Sequence, residues 1–381
     1  MIQFVTSDAA HTESVDQNLP RTILFIFGTR PEAIKLAPLI VCLRRFPEHY
    51  TVRICATAQH RQMLDQVLEA FEIVPDFDLG AMSPGQTLLA SSARILAALE
   101  PIFAKVNPDL VIVQGDTTST FCGALAAFYH RVPVAHVEAG LRTGDLSQPF
   151  PEEANRVLTS CIATLHFAPT RQAAENLARE GISGGISITG NTGIDAVLHV
   201  RDRLAPAAPE PDRLILVTAH RRESFGEGFE RICQALLALA GRGDVRILYP
   251  VHLNPNVRDV VNRTLGAHSK ISLCEPLDYV SFVAAMTRAA IILTDSGGIQ
   301  EEAPSLGKPV LVLREKTERP EAVEAGTVKL VGTDVDRIVS EANLLLDSPE
   351  EYARMSRIHN PYGDGHASER IEAEIRKYFA R

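Results

Sequence analysis

Hydrophobic positions along this chain form short runs separated by longer stretches in which apolar residues recur at helical spacing. The Val/Ile/Leu runs predict strands near 22–27, 51–56, 110–114, 132–137, 165–168 and 186–189, and then near 213–218, 245–250, 271–273, 291–294, 310–313 and 328–331. Buried strands that alternate with helices indicate parallel sheets covered by helices on both faces.

The strands fall into two halves of similar size. Residues 204–212 are rich in Pro and Ala, cannot continue a helix, and indicate a linker. A chain of 381 residues exceeds the size at which one core stops growing. We therefore predict an α/β protein with two Rossmann-like, doubly wound domains, residues 21–203 and 213–365, facing a central cleft. Residues 1–20 are polar and acidic, which predicts a disordered tail rather than a secretory signal.

Composition excludes several classes of protein. A net charge of -9 argues against a nucleic acid or an anionic membrane surface as partner. No apolar run approaches the roughly 18 residues of a spanning helix. The cysteines are widely spaced without a Cys-x-x-Cys pair, so we expect buried, reduced thiols and a cytoplasmic protein. They are Cys42, Cys55, Cys122, Cys161, Cys233 and Cys274.

Residues 291–302 predict a buried strand, a Gly-Gly turn and a helix start. Gly297 and Gly298 would let backbone N–H groups approach an anion closely, and the helix dipole would favour a phosphate. Glu302 could then reach the hydroxyls of an attached ribose. The alternative is an ordinary connection in which Ser296 caps the helix.

A second strand-turn-helix segment is predicted at residues 23–33. Pro31 suits the first helical position and Glu32 complements the helix dipole, which leaves Arg30 at the mouth of the turn. The tetrapeptide Arg-Pro-Glu-Ala recurs at 319–322, also beside a predicted helix start. Four matching residues are weak evidence for an internal repeat.

Carboxylates follow several predicted strands. Asp116 lies at the cleft after strand 110–114, unless it caps the next helix. Glu138 ends an apolar strand, so it is either paired, with Arg142 as one candidate, or raised in pKa for acid–base work. Glu152 and Glu153 open a helix, whose dipole explains one of them equally well.

Histidines supply the remaining candidates. His220 ends a strand beside two arginines and is a candidate for phosphate binding or proton transfer, and His252 is a weaker one. Their spacing does not fit a zinc site, and no dinucleotide or Walker fingerprint is present. We therefore expect neither a metal nor a nicotinamide cofactor.

Six motifs in this order resemble the non-hydrolysing UDP-N-acetylglucosamine 2-epimerases. The motifs are Gly28-Thr29-Arg30-Pro31-Glu32-Ala33, Gln114-Gly115-Asp116-Thr117, His136 to Arg142, Pro151 to Arg156, His220-Arg221-Arg222-Glu223 and Asp295-Ser296-Gly297-Gly298. The resemblance implies a glycosyltransferase B-type (GT-B) fold in which a C-terminal helix, residues 366–381, returns to the first domain. It also implies a homodimer that interconverts UDP-N-acetylglucosamine and UDP-N-acetylmannosamine for surface polysaccharide synthesis.

The same resemblance assigns roles by matching position. It implies nucleotide contacts at Arg30, Phe282, Ser296, Gly297, Gly298, Glu302 and Arg319, and catalytic roles for Lys35, Asp116, Glu138, Glu152 and His220. Leu277 departs from a family glutamine, which removes one polar contact with the base. UDP-N-acetylglucosamine is also expected as an activator, at a region matched by Gln59, Gln62, Gln86, Arg221 and His252. Gly85 replaces an expected arginine there, so we expect weaker activation.

The chemistry fits an elimination. C2 of the sugar is not adjacent to a carbonyl, so its proton is not acidic. If UDP instead leaves C1 while H2 is lost, a glucal forms. Re-addition to the other face of this glucal gives the epimer. This route needs a stabilised leaving anion and acid–base carboxylates. Three alternatives stay open: a GT-B glycosyltransferase, a hydrolysing epimerase and a non-catalytic UDP-sugar sensor.

Overall fold

Two parallel sheets organise the chain. The computed structural model describes residues 19–57, 61–81, 85–206, 211–221, 225–251, 254–357 and 359–381. We call the unit built on the first sheet the first domain and that on the second sheet the second domain. Most of the predicted N-terminal tail and the middle of the predicted linker lie outside the described residues.

The first domain contains a seven-stranded sheet in the order β3-β2-β1-β4-β5-β6-β7, with every neighbouring pair parallel. The strands are β1 Arg21–Phe27, β2 Tyr50–Ala56, β3 Phe77–Asp78, β4 Leu110–Gln114, β5 Val134–Val137, β6 Leu165–Ala168 and β7 Ile186–Ile188. Its helices are α1 Arg30–Arg44, α2 Arg61–Ala70, α3 Leu88–Val106, α4 Thr118–Tyr129, α5 Glu152–Ile162, α6 Arg171–Arg179 and α7 Thr192–Arg201.

The second domain repeats this arrangement with six parallel strands in the order β10-β9-β8-β11-β12-β13. The strands are β8 Arg213–Thr218, β9 Val245–Pro250, β10 Ile271–Cys274, β11 Ile291–Thr294, β12 Val310–Val312 and β13 Val328–Leu330. Its helices are α8 Glu227–Ala240, α9 Pro255–Leu265, α10 Tyr279–Arg288, α11 Gly297–Glu302 with a 3-10 turn at Ala303–Leu306, α12 Pro320–Ala325, α13 Val335–Asp347 and α14 Pro349–Ser356.

The predicted fold class of two Rossmann-like domains is confirmed. In each sheet the order reverses beside the first strand, between β1 and β4 and between β8 and β11, and ligands of doubly wound sheets bind at such points. Sequence patterning missed only β3 among these strands, because two residues carry no periodicity.

The last helix, α15 Ala367–Phe379, packs against α1 and α7 of the first domain. The buried carboxylate of Asp195 accepts the backbone N–H groups of Ala367 (3.2 Å) and Ser368 (2.7 Å), which satisfies two donors at the helix start. Tyr50 donates to Glu372 of α15 at 3.1 Å. The chain thus returns from the second domain to the first, and residues 359–366 lead into α15. The exact domain boundaries stay a prediction.

Apolar side chains join the domains. Ile194 and Val197 of α7 belong to one continuous core cluster with Tyr279, Val283 and Met286 of α10. Within the described ranges, no helix is both long and apolar enough to cross a bilayer.

The six thiols are unpaired, as expected, but they are not all buried. Cys42, Cys55, Cys122 and Cys233 are, whereas Cys161 is exposed and Cys274 partly so. The expectation of burial is therefore wrong for Cys161, whose position on α5 faces solvent.

Candidate active site

A cavity of about 1170 Å³ lies at the carboxyl ends of the first sheet and is bordered by the second domain. The first domain contributes most of its polar lining: Glu32, Lys35, Gln114, Asp116, Glu138, Arg142, Asp145, Glu152, Asn155 and Arg156. The second domain contributes Arg221, Glu318 and Arg319. The first-domain wall of the cavity is therefore mainly acidic, and the second domain adds two arginines and one glutamate.

Glu32 joins the two turns beside the first switch point. Its buried carboxylate accepts from the N–H groups of Gly28 (3.1 Å) and Thr29 (2.8 Å) after β1, and from the hydroxyls of Thr117 (2.8 Å) and Thr120 (3.0 Å) after β4. Burial raises the pKa of Glu32 despite these bonds. The two loops that carry Lys35 and Asp116 into the cavity are consequently held at a fixed separation.

Glu138 is paired, but not with Arg142. It has a left-handed backbone (φ 63°) directly after β5, and its carboxylate accepts from Lys35 Nζ at 2.5 Å and from the Gln114 side-chain amide. Burial lowers the pKa of Lys35, but the charges of Glu138 and Glu301 outweigh it and leave that pKa raised. A non-glycine residue in this conformation costs about 1–3 kcal/mol, which the surrounding contacts must offset.

The candidate partner Arg142 points elsewhere. It makes two hydrogen bonds with the Glu180 carboxylate, at 2.7 and 2.8 Å, and a third with the Ser160 hydroxyl at 2.9 Å. Its proximity to Glu138 in sequence was misleading because Gly140 turns the chain in between with φ 91°.

Asp116 does not cap the following helix. Thr117 does so, by accepting from the Thr120 N–H at 3.1 Å. The Asp116 carboxylate instead pairs with Arg156 of α5, which also lies 3.4 Å from the buried Glu153. Glu153 accepts from the backbone of residues 143 and 144, so it is structural, whereas its neighbour Glu152 lines the cavity.

His220 lies at the end of β8 and contacts a buried carboxylate of the neighbouring strand. Its Nδ1 is 3.3 Å from Asp295 Oδ1, and its backbone N–H donates to Asp295 Oδ2 at 2.7 Å. Asp295 also accepts the Arg221 N–H at 2.8 Å. Asp295 thereby fixes the backbone from which both side chains project.

The Gly-Gly turn forms the start of α11, as predicted. Ser296 occupies the N-cap position, as in the alternative, but its side chain makes no capping hydrogen bond. A Cβ added at Gly297 would lie 3.7 Å from Arg319 Nη2, which places this guanidinium beside the turn. The turn itself does not border the large cavity.

Glu302 lies one turn further along α11, at the seam between the domains. Burial, and then the adjacent charge of Glu301, raise the pKa of Glu302 to about 8. A Cβ added to Gly193 of α7 or to Gly298 would lie 3.8 Å from Oε1 of Glu302. The positive charges of Lys35 and Arg30 offset part of this rise in the pKa of Glu302.

The structure brings some of the predicted residues together and separates others. Those that border the cavity are Lys35, Asp116, Glu138, Glu152, Arg221 and Arg319. Those that do not are Arg30, His220, Ser296, Gly297, Gly298, Glu302, Phe282 and Gln86. Phe282 lies in α10, partly buried against the core, and Gln86 accepts from Ser91 at 3.0 Å.

The structure does not describe the side chains of three residues predicted for the activator region. Gln59 and His252 lie outside the described residues, and Gln62 lies in α2, where only its place in the helix is described. Among the described residues, no group of three His, Cys, Asp or Glu side chains is arranged to hold a metal ion.

Sequence reasoning overlooked the residues that hold the carboxylates in place. Gln114 and Arg156 both lie inside recognised motifs, and an amide ending a buried strand or a cation one turn from two acids could have signalled them. Glu301 was also overlooked, although its side chain is only 4% exposed and contacts Arg319.

Comparisons with known proteins agree with this architecture. The model of the UDP-N-acetylglucosamine 2-epimerase family matches residues 44–376. The chain is 57% identical to a UDP-N-acetylglucosamine 2-epimerase of Salmonella typhimurium, covering 93% of this chain and 98% of the relative. It is 58% identical to that of Escherichia coli, covering 92% and 96%.

A solved structure is also similar. The UDP-GlcNAc 2-epimerase from Neisseria meningitidis bound to UDP-GlcNAc superimposes with a TM-score of 0.84 at 48% identity, covering 93% of this chain and 100% of that one. The family predicted from the six motifs is confirmed: the chain belongs to the UDP-N-acetylglucosamine 2-epimerases.

Proposed function

We propose that this chain reversibly epimerises C2 of UDP-N-acetylglucosamine to give UDP-N-acetylmannosamine, without releasing the free sugar. The observation that carries the proposal is the cavity in which Asp116, Glu138 and Glu152 face Arg319 and Arg221 across the domains. Acids on one side suit a sugar that exchanges a proton. Arg319 on the other side suits a diphosphate that leaves and returns.

The nucleotide is held by the second domain. The start of α11 offers backbone N–H groups to the diphosphate, and the Arg319 guanidinium lies beside Gly297. His220 adds a hydrogen-bond donor and Arg30 of the first domain adds positive charge as UDP departs, Glu302 meets the ribose, and Phe282 meets the base. Because this anion stabilisation grows as the C1–O bond breaks, it accelerates the chemical step and not only binding.

The sugar is handled by the first domain. One of Asp116, Glu138 and Glu152 removes H2, and another returns a proton on the opposite face. Lys35, 2.5 Å from Glu138, holds that carboxylate in its orientation. Domain closure excludes water, which would otherwise convert the intermediate to free sugar.

Incubation with UDP-N-acetylglucosamine in D₂O tests the proposal. The protein is first stripped of nucleotide and treated with chelator, because we expect no nicotinamide or metal requirement. NMR should find deuterium at C2 of the UDP-N-acetylmannosamine formed, with a little UDP and 2-acetamidoglucal. Epimer with protium at C2 and no glucal after prolonged incubation would contradict the elimination.

The same spectra separate the alternatives. A hydrolysing epimerase releases free N-acetylmannosamine, a sensor changes nothing, and a glycosyltransferase needs an acceptor before UDP appears. Three carboxylates at the cavity have no use in a mere sensor, which favours the epimerase.

A second UDP-N-acetylglucosamine is proposed to bind as activator near Arg221. The cavity of about 1170 Å³ exceeds the usual range of roughly 300–1,000 Å³ for one small ligand. Initial rates should then rise sigmoidally with substrate, and Arg221→Gln should make them hyperbolic. A hyperbolic curve for the unchanged protein would contradict activation.

The protein is further proposed to be a cytoplasmic homodimer. Helices α3, α4 and α5 expose large apolar side chains: Leu89 is 82% exposed, Phe128 57%, Tyr129 71% and Leu158 46%. These helices adjoin one another, and burying their exposed apolar side chains would favour association. Sedimentation should give twice the chain mass, and Tyr129→Glu should halve it. The unpaired thiols suit a reducing compartment.

A further inference from the structure

Glu301 lies where both domains and the returning chain meet. It belongs to α11, and its Oε2 accepts from the side-chain amide of Asn191 in the first domain at 2.6 Å. Its Oε1 accepts from Arg319 Nε, and its backbone carbonyl accepts from Asn360 of the crossover at 2.7 Å. Its side chain is 4% exposed, so water does not compete for these bonds.

The Arg319 guanidinium is fixed by two of its edges. Nε donates to Glu301, and Nη1 donates to the Glu318 carbonyl at 3.1 Å. Nη2 is left facing the turn, 3.7 Å from where a Cβ of Gly297 would lie. A planar guanidinium held in this way presents its remaining donors in one direction. Glu301 therefore sets the direction in which Arg319 offers its charge.

Only a carboxylate satisfies both partners of Glu301. Arg319 Nε and the Asn191 amide are both donors, so an uncharged glutamine in place of Glu301 could accept from one but would present its own NH₂ to the other. Asn191 cannot turn to relieve the conflict, because its Oδ1 accepts from the Gly193 N–H at 2.8 Å and caps α7. The two contacts thus depend on each other through a single side chain.

We propose that Glu301 is a positioning residue through which contact between the domains orients Arg319 for the diphosphate. The inference rests on the proposed nucleotide site. When the first domain brings Asn191 to Glu301, the carboxylate is held where it directs Arg319 at the Gly297 turn. When the domains separate, Glu301 loses this support and nucleotide affinity falls.

A neighbouring carboxylate provides a matched control. Glu321 also joins the domains, by accepting from Thr170 of the first domain at 3.3 Å and from Tyr362 of the crossover at 3.0 Å. Neither of these hydrogen bonds involves Arg319. Glu321→Gln therefore removes a carboxylate charge at the domain contact without disturbing the guanidinium.

Calorimetry with UDP on the full chain tests the coupling. We expect Glu301→Gln to weaken UDP binding about tenfold, the scale of one charge-assisted hydrogen bond, and Glu321→Gln to change it less than about twofold. Asn191→Asp leaves the second domain unaltered but sets two carboxylates against each other, so UDP affinity should again fall about tenfold.

The double variant Asn191→Asp/Glu301→Gln exchanges donor and acceptor at constant net charge. The introduced glutamine then donates to the introduced aspartate and still accepts from Arg319, so UDP affinity should return to within about threefold of the unchanged protein. Thermal melting verifies folding, and the Asn191 variants carry the test if Glu301→Gln does not fold.

Three results would overturn the inference. They are undiminished UDP affinity in folded Glu301→Gln or Asn191→Asp, an equal loss in Glu321→Gln, and no recovery in the double variant. Absence of UDP binding by the unchanged protein would instead overturn the proposed function and, with it, the site on which the inference rests.

Discussion

The two sides of the site differ in how their functional groups are held. In the first domain, Glu138 and Asp116 are each engaged by a cation from another element, Lys35 and Arg156. In the second domain, the Gly297 turn presents bare backbone, and Ser296 leaves it uncapped. Under the proposed function, the groups that move protons would already be held by cations before substrate binds, whereas the anion site would be backbone left open for the nucleotide.

The largest expected effect concerns the groups that we propose take part in the chemistry. Asp116→Asn, Glu152→Gln and His220→Asn should each lower turnover by roughly 10²-fold or more, because each removes an acid–base or charge-stabilising group. Melting temperatures should change little. Asp145→Asn is the matched control. This exposed carboxylate borders the same cavity, but it accepts hydrogen bonds from Ser147 and has no proposed role in the chemistry. Near-normal turnover in any one variant would exclude that residue from the chemistry.

Breaking the ion pairs of the first-domain side should cost stability. Arg156→Met leaves Glu153, 1% exposed, and Asp116 without their cation, so the free energy of unfolding should fall by about 3 kcal/mol. Denaturation by urea measures this. A loss below about 1 kcal/mol would mean that water replaces the guanidinium.

The open turn should respond in the opposite way. A side chain at Gly297 meets only Arg319, at 3.7 Å, so Gly297→Val should fold yet block approach of the diphosphate and weaken UDP binding at least about tenfold. Calorimetry measures the affinity, with Ser296→Ala as the milder companion. Unchanged UDP affinity in a folded Gly297→Val variant would mean that the turn only connects β11 to α11 and does not bind the diphosphate.

The smallest effect is a pH dependence at the seam. Burial raises the pKa of Glu302 from 4.5 to about 8, so between these values the unfolded chain is ionised while the folded one keeps its proton. The contribution of Glu302 to the free energy of unfolding therefore falls as pH rises from 4.5 to about 8 and is constant above about pH 8. The Glu302→Gln variant does not lose this stability. Its melting temperature relative to that of the unchanged protein should therefore rise by a few degrees from about pH 5 to about pH 9. A constant difference would contradict the shifted pKa.

Sequence patterning predicted the sheets well because parallel strands are buried on both faces and appear as apolar runs. It could not predict which charges pair. Lys35 and Glu138 are 103 positions apart, and Asp116 and Arg156 are 40 apart. The nearby Arg142 was the natural guess for Glu138 and is wrong, because pairing depends on strand order rather than on distance along the chain.

Glu301 shows the same limit in another form. In the sequence it is one of two acids that follow the glycine turn, and Glu302 fits the helix-start pattern better. Only the crossing of the chain brings Asn191 and Asn360 to it. Resemblance to a family supplied what patterning lacked, namely which polar residues to consider.

Docking of α15 onto the first domain has a consequence for synthesis. The helix buries Ile371 and Ile375 against α1 and α7, yet residues 202–366 separate it from α7 along the chain. At about 5–20 residues per second, the ribosome needs roughly 10–30 s after completing α7 to deliver it. During that interval the nascent first domain exposes an apolar groove, which a chaperone could shield. The second domain has no such wait, because α14 precedes the crossover.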